Sequence, residues 1–107
     1  MAVSQDRIFR ALADPTRRAL LERLLKHGER TVGELTRAAR VSQPAVSKHL
    51  RLLKAAGLVR DRPEGRAVHY RAEPRALGSV AAWLRLYTGF WEERFDRRET
   101  VLKRMDT

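Results

Sequence analysis

The stretch Thr31–Leu58, TVGELTRAARVSQPAVSKHLRLLKAAGL, decides how this chain folds. It reads as two short helices joined by a tight turn. Thr31 and Glu34 have capping-box spacing, in which the hydroxyl accepts the N3 amide and the carboxylate reaches back to the N-cap amide. Val32, Leu35 and Ala38 or Ala39 follow at helical spacing, and the pattern stops near Arg40 and Val41. Ser42 is the next N-cap, and Pro44 fits a first turn, where its missing N–H costs nothing. Val46, Leu50 and Leu53 then share one stripe at i, i+4 and i+7, and Gly57 supplies the C-terminal stop. The opposite face carries Gln43, Pro44, Ser47, Lys48 and Arg51. A core stripe backed by a donor-rich outer face predicts a helix-turn-helix over 31–57 whose second helix reads double-stranded DNA.

Downstream of Gly57 the period changes from about four to two. Leu58–Arg62 and Ala67–Ala72 flank Pro63-Glu64-Gly65-Arg66, which predicts a β-hairpin wing over 58–72. Val68 and Tyr70 are expected to face the core, and Arg66, His69 and Arg71 to face out. Pro74 ends the strand, and one long helix is predicted over about 76–103. Its stripe is Leu77, Val80, Leu84, Tyr87, Trp91, Phe95 and Leu102, flanked by Trp83 and Phe90. Five of the seven aromatic residues fall between positions 83 and 95, more than a core already built by four helices and a wing requires. That surplus predicts a homodimer interface, formed by Val80, Leu84, Tyr87, Trp91 and Phe95 with Ile8, Phe9 and Leu12 of a short N-terminal helix over about 4–13. Gly89 is a point where the long helix can kink. Between these elements, Asp14-Pro15 starts a helix through His27 with an apolar stripe of Ala19, Leu20, Leu21, Leu24 and Leu25, closed by Gly28.

The whole is expected to be one mainly helical winged helix-turn-helix domain over 1–107, ordered α-α-α-α-β-β-α and dimeric through its first and last helices. The formal net charge of +10 points to a polyanionic partner. Positions 37–71 hold nine Lys/Arg and two acidic residues, whereas 74–107 hold seven and five, so the excess sits on and just after the reading helix. With no cysteine, disulfides and thiolate metal sites are excluded. No signal-peptide pattern or membrane-length apolar run is present, so a cytoplasmic protein without a membrane partner is expected.

Three motifs, FRALADPTRRALLERL, TVGELTRAARVSQPAVSKHLRLLKAAGLV and RPEGRAVHYR, resemble the ArsR-type (ArsR/SmtB) family of winged-helix repressors. The closing LRLYTGFWEERFDRR is similar to a subgroup whose last helix carries a Trp/Tyr/Phe-Trp series. The resemblance implies a homodimer that represses transcription from a roughly palindromic operator until a signal releases it. Many such proteins sense metals through cysteines early in the helix matching Thr31–Ala39, where this chain has Thr31 and Gly33. Others use an Asp/His set on the final helix, and positions 74–107 hold no histidine. Neither metal site carries over, and the effector, whether small molecule, protein or none, stays open.

The DNA-contact set is therefore Gln43, Pro44, Ser47, Lys48 and Arg51, with Thr31, Ser42 and, on the wing, Arg66. Gln pairs bidentately with adenine, whereas Arg51 suits a phosphate. His49 reads as a partly buried packing residue, His27 as a cation at a helix C-terminus, and His69 as a solvated strand position. Glu92, Glu93, Asp96 and Glu99 alternate with arginines as on a solvated face. No cofactor, metal site or catalytic constellation is expected, and an enzyme fits least. A protein–protein module using the aromatic helix is the alternative function.

Overall fold

The computed structural model describes residues 5–90. Residues up to Leu77 group into one compact unit and those from Gly78 into another. In the first unit the helices begin at their cap residues. Helix α1 covers Gln5–Ala13 and α2 covers Pro15–His27. The Asp14 carboxylate accepts the Arg17 N–H at 3.0 Å, Pro15 occupies the first turn, and Gly28 closes α2 with φ +79°. Strand β1, Arg30–Thr31, leads directly into α3, Val32–Ala39. Both halves of the capping box are present there: the Glu34 N–H donates to Thr31 Oγ1, and Thr31 N–H donates to Glu34 Oε1, each at 3.1 Å. Arg40 ends α3 in the left-handed conformation, and Ser42 caps α4, Gln43–Ala55, by accepting the Ala45 N–H at 3.3 Å.

The end of α4 is a Schellman motif. Ala56 is the C-cap and Gly57 follows with φ +75°. Gly57 N–H donates to Lys54 O and Leu58 N–H to Leu53 O, both at 2.9 Å. Leu53 and Leu58, the residues this motif brings together, are both fully buried. The chain therefore leaves α4 already anchored and enters β2, Val59–Glu64, which pairs antiparallel with β3, Ala67–Ala72. The sheet has the order β1-β3-β2, with Arg30 opposite Tyr70 and Thr31 opposite His69.

Three expectations need correction here. The hairpin loop is not four residues but two, Gly65-Arg66, because Pro63 and Glu64 pair with Val68 and Ala67. Only Gly65 of the two has positive φ (+61°), the pattern of a type II′ turn, whose twist matches the flanking strands. Pro63 is tolerated inside a strand because β2 is a sheet edge. Strand β1 was not foreseen, since two residues carry no period. Ile8, expected at a dimer interface, is only 2% exposed and lies with Ala11 on the buried side of α1, which leaves it almost no surface for a partner. Phe9 is exposed and Leu12 half-buried.

The core of this unit holds Leu20, Leu21 and Leu24 of α2, Leu35 of α3, Val46, Leu50 and Leu53 of α4, then Leu58, Val59 and Tyr70. Tyr70 faces inward as expected, and burial pushes its phenol up. Val68 is half-buried, and Leu25, placed on the α2 core stripe, is exposed.

After a 3-10 turn at Pro74–Leu77, the second unit begins with α5, Gly78–Arg85. The single long helix expected from about 76 is interrupted. Leu86 N–H donates to Trp83 O and Tyr87 N–H to Leu84 O, i→i−3 bonds that tighten the last turn before helical backbone resumes over 88–90. The break precedes Gly89. Val80 is half-buried, while Leu84, Leu86, Tyr87 and Phe90 are 46%, 76%, 44% and 57% exposed. The Trp83 and Tyr87 rings meet edge-on with centroids 5.3 Å apart. Trp91 and Phe95, both assigned to the dimer interface, lie outside the described residues.

Candidate nucleic-acid interface

The two faces of α4 have opposite fates, and that division makes the site. Val46, Leu50 and Leu53 are fully buried, which fixes the helix's rotation about its own axis. Pro44, Lys48 and Arg51, on the far side of the helix, are exposed, as is Gln43 at the first position of α4, and Ser47 is half-buried between the faces. One row of buried aliphatic side chains thus decides which side chains are presented outward.

His49 shows how α4 is held. Its Nδ1 lies 3.3 Å from Nη1 of Arg17 and 3.9 Å from the Asp14 carboxylate. The same Arg17 donates through Nε to Ala11 O at 2.7 Å and through Nη2 to Arg10 O at 3.1 Å, capping the end of α1. His49 is therefore half-buried, as expected, but its contact is polar and reaches the α1–α2 junction. The Arg17 amide, above all, holds the Asp14 carboxyl below the ordinary carboxylate range.

The N-cap hydroxyls differ. Thr31 Oγ1 accepts from Glu34 N–H and donates to Glu34 Oε1 at 3.0 Å, so both of its capacities are used within the cap. Its position among the expected DNA contacts is thus one where the hydroxyl is occupied and a carboxylate stands beside it. Ser42 Oγ accepts from Ala45, and its own O–H is left to donate outward at the N-terminus of α4.

The distribution of charge is narrower than the sequence count implies. Lys54 pairs with Asp61, and Arg60 and Arg71 both pair with Glu73. Arg62 bridges Glu29 at 2.9 Å and Glu64 at 2.8 Å. The side-chain hydrogen bond from Arg62 draws the Glu64 carboxyl below its usual range. His69 joins this group, 3.8 Å from Glu29 and 3.5 Å from Glu64, so it is a member of the wing-base network and not a solvated strand residue. By contrast, Arg37, Arg40, Lys48, Arg51 and Arg66 are exposed and form no ion pair among the described residues. Within positions 37–71 the uncompensated cations thus sit at the end of α3, along α4 and on the wing tip, where Arg66 takes the second turn position. Arg37 and Arg40 were not among the expected contacts. Such a set, one donor-rich helix face with cations on either side, is suited to a duplex in which bases lie between two phosphate strands.

No helix among the described residues is long and apolar enough to cross a membrane, and none of their His, Asp and Glu groups forms a metal-holding cluster.

Known proteins resemble both the sequence and the fold. Residues 14–61 match the family model described as bacterial regulatory protein, arsR family. The HTH-type transcriptional regulator Rv2034 of Mycobacterium tuberculosis is 49% identical over 92 residues, spanning 81% of this chain and 85% of that protein. The transcriptional repressor SdpR of Bacillus subtilis is 34% identical over 79 residues, 74% and 87% of the two chains. Among solved structures, the ArsR family transcriptional regulator RHA00566 superposes with a TM-score of 0.73 at 39% identity, covering 81% of this chain and 94% of that one. These relatives are regulators of transcription and not enzymes. With its capped helix-turn-helix, its wing and this degree of identity over four-fifths of its length, the chain belongs to the ArsR family of DNA-binding transcriptional regulators.

Proposed function

We propose that this regulator is a homodimeric repressor that binds a two-fold symmetric operator through the major groove. The observation that carries the reading is the exposure of Gln43, Lys48 and Arg51 on α4, whose Val46, Leu50 and Leu53 are fully buried. Gln43 is the base reader of this set, with bidentate geometry for adenine, and Ser47 and Pro44 approach the groove floor beside it. Lys48, Arg51, Ser42 and the wing-tip Arg66 hold the flanking phosphates. Two such helices spaced about 34–36 Å apart meet successive major grooves, which is why the reading requires a dimer. Its interface is the aromatic surface that begins on α5, with Phe9 and Leu12 of α1. That SdpR is a transcriptional repressor supports repression over activation.

Selection of bound sites from random-sequence duplex DNA tests the proposal. An inverted repeat with half-sites about one helical turn apart is expected, bound by two protomers in a light-scattering measurement of the complex. Recovery of no enriched sequence would overturn specific repression. Because Leu84 of α5 and Leu86 and Tyr87 just after it are exposed, a heterologous protein partner for that surface is the second reading. A monomer at the concentration that saturates DNA would favour it.

A further inference from the structure

Among the described residues four have positive φ, and three of them are glycines: Gly28, Gly57 and Gly65. The fourth is Arg40, with φ +57° and ψ +28°, at the C-cap of α3. This conformation brings Cβ close to the following carbonyl, so glycine or asparagine is the usual occupant. Nothing in the fold offsets the choice. Arg40 is exposed, and its side chain takes part in no hydrogen bond or ion pair among the described residues. The helix C-terminus does not require it either, since Arg37 already supplies a cation to the last turn of α3. A backbone outlier kept without a local reason points to a task outside the folded chain.

Its place in the chain says which task. Arg40 stands two residues before Ser42, whose hydroxyl caps the reading helix, and three before Gln43. In a helix-turn-helix the N-terminal end of the second helix enters the groove while the first crosses the backbone. The turn between them therefore meets the phosphates at the groove's edge. The left-handed turn carries an unpaired guanidinium to that edge, where a planar fork matches a phosphate. We propose that Arg40 is a phosphate clamp that sets the depth and register of α4 on DNA, and that the chain retains an unfavourable residue in the turn for this purpose. This rests on the reading of α4 as the DNA-binding helix.

Two variants separate charge from strain. Arg40→Gly relieves the left-handed position and removes the charge, whereas Arg40→Gln removes the charge and keeps the conformation. Both are titrated into a random-sequence duplex pool and into the selected operator over a range of salt, with thermal melts alongside. The expected result is a loss of affinity of about tenfold near physiological salt in both variants, alike on all sequences. The slope of log K against log salt should fall in magnitude by about 0.9 per protomer bound. Arg40→Gly should melt at or above the wild-type temperature, and Arg40→Gln at the wild-type temperature. Unchanged salt slopes in both variants would overturn the clamp while leaving the function reading intact. A loss confined to one sequence would make Arg40 a base reader, and a lower melting temperature for Arg40→Gln with full binding would make it a helix cap. Either result overturns the proposal. If the wild type binds neither duplex, the DNA-binding reading fails first and the clamp with it.

Discussion

Nη1 of Arg17 lies 3.3 Å from Nδ1 of His49, which ties the first turn of α2 to the middle of α4. Arginine can only donate, so the contact requires that ring nitrogen to be the acceptor. The other two arms of the guanidinium hold the Ala11 and Arg10 carbonyls in the last turn of α1. One side chain thus closes a helix and braces the reading helix at once. Arg17→Ala should lower stability by about 2 kcal/mol, as charge-assisted hydrogen bonds of this kind are lost together. Urea unfolding checks this: the midpoint should fall while the slope stays unchanged. Arg17→Lys should recover only part of the loss, because one ammonium cannot span three acceptors set around a planar fork.

Asp14 gives the fold a dependence on acid. Its carboxyl is held below the ordinary 3.8, chiefly by the Arg17 amide, so its stabilisation is present above that value. It is lost as the pH falls through the lowered folded-state value. Asp14→Asn keeps a cap acceptor and should melt near wild type at neutral pH, with a shallower decline on acidification. Asp14→Ala should melt roughly 5 °C lower at neutral pH, from loss of an N-cap. Melting temperatures measured from about pH 7 to about pH 3 separate the three proteins.

Two glycines should respond to alanine with opposite signs. Gly57 has φ +75° within the motif that turns the chain from α4 into the wing, and Gly57→Ala should cost about 1 kcal/mol. Gly33 is an ordinary residue in the first turn of α3, where an added Cβ meets only Thr31 Oγ1 at 3.9 Å. Gly33→Ala should therefore stabilise by roughly 0.5 kcal/mol through the unfolded chain. Chemical denaturation of both variants, run beside the wild type, checks the signs.

On DNA, Gln43 and Lys48 should fail differently. Lys48→Ala is expected to weaken binding evenly across sequences and to reduce the salt slope by about one per protomer. Gln43→Ala should leave the slope unchanged and reduce discrimination at one base pair per half-site by about 1–3 kcal/mol. Competition titrations with single-base operator variants distinguish the two patterns. An even loss in both would remove Gln43 from the role of base reader.

The parts of the fold that were legible in the sequence are those set by neighbours along the chain. Thr31 with Glu34, Ser42 with Pro44, and Asp14 with Pro15 each fix a helix start within four residues, and all three caps formed as read. What escaped was set by distant partners. Strand β1 exists only because Arg30 and Thr31 meet Tyr70 and His69 across the sheet. The wing's formal charge overstated its reach, because Glu29 and Glu73 neutralise arginines from outside the window in which the charges were counted. The inward side of α1 was ambiguous for a similar reason: Ile8, Phe9 and Leu12 are all apolar, and packing alone chose Ile8 for the interior. Arg40 did carry a local signal, a charged residue where the helix-turn-helix needs a left-handed turn, but that signal appears only when the turn's geometry is known.

Pro63 has a consequence for how copies of this protein tolerate one another. Glu64 and Ala67 close the hairpin as a hydrogen-bonded pair, so the ladder's alternation turns the backbone nitrogen of Pro63 toward the open side of β2. On that side the strand lacks a donor next to its turn end and carries Arg60 and Arg62 nearby, while the sheet's opposite edge is only two residues long. Neither margin can template a further strand. Wings of neighbouring copies therefore cannot zip into a shared sheet, and each keeps its own two-stranded hairpin.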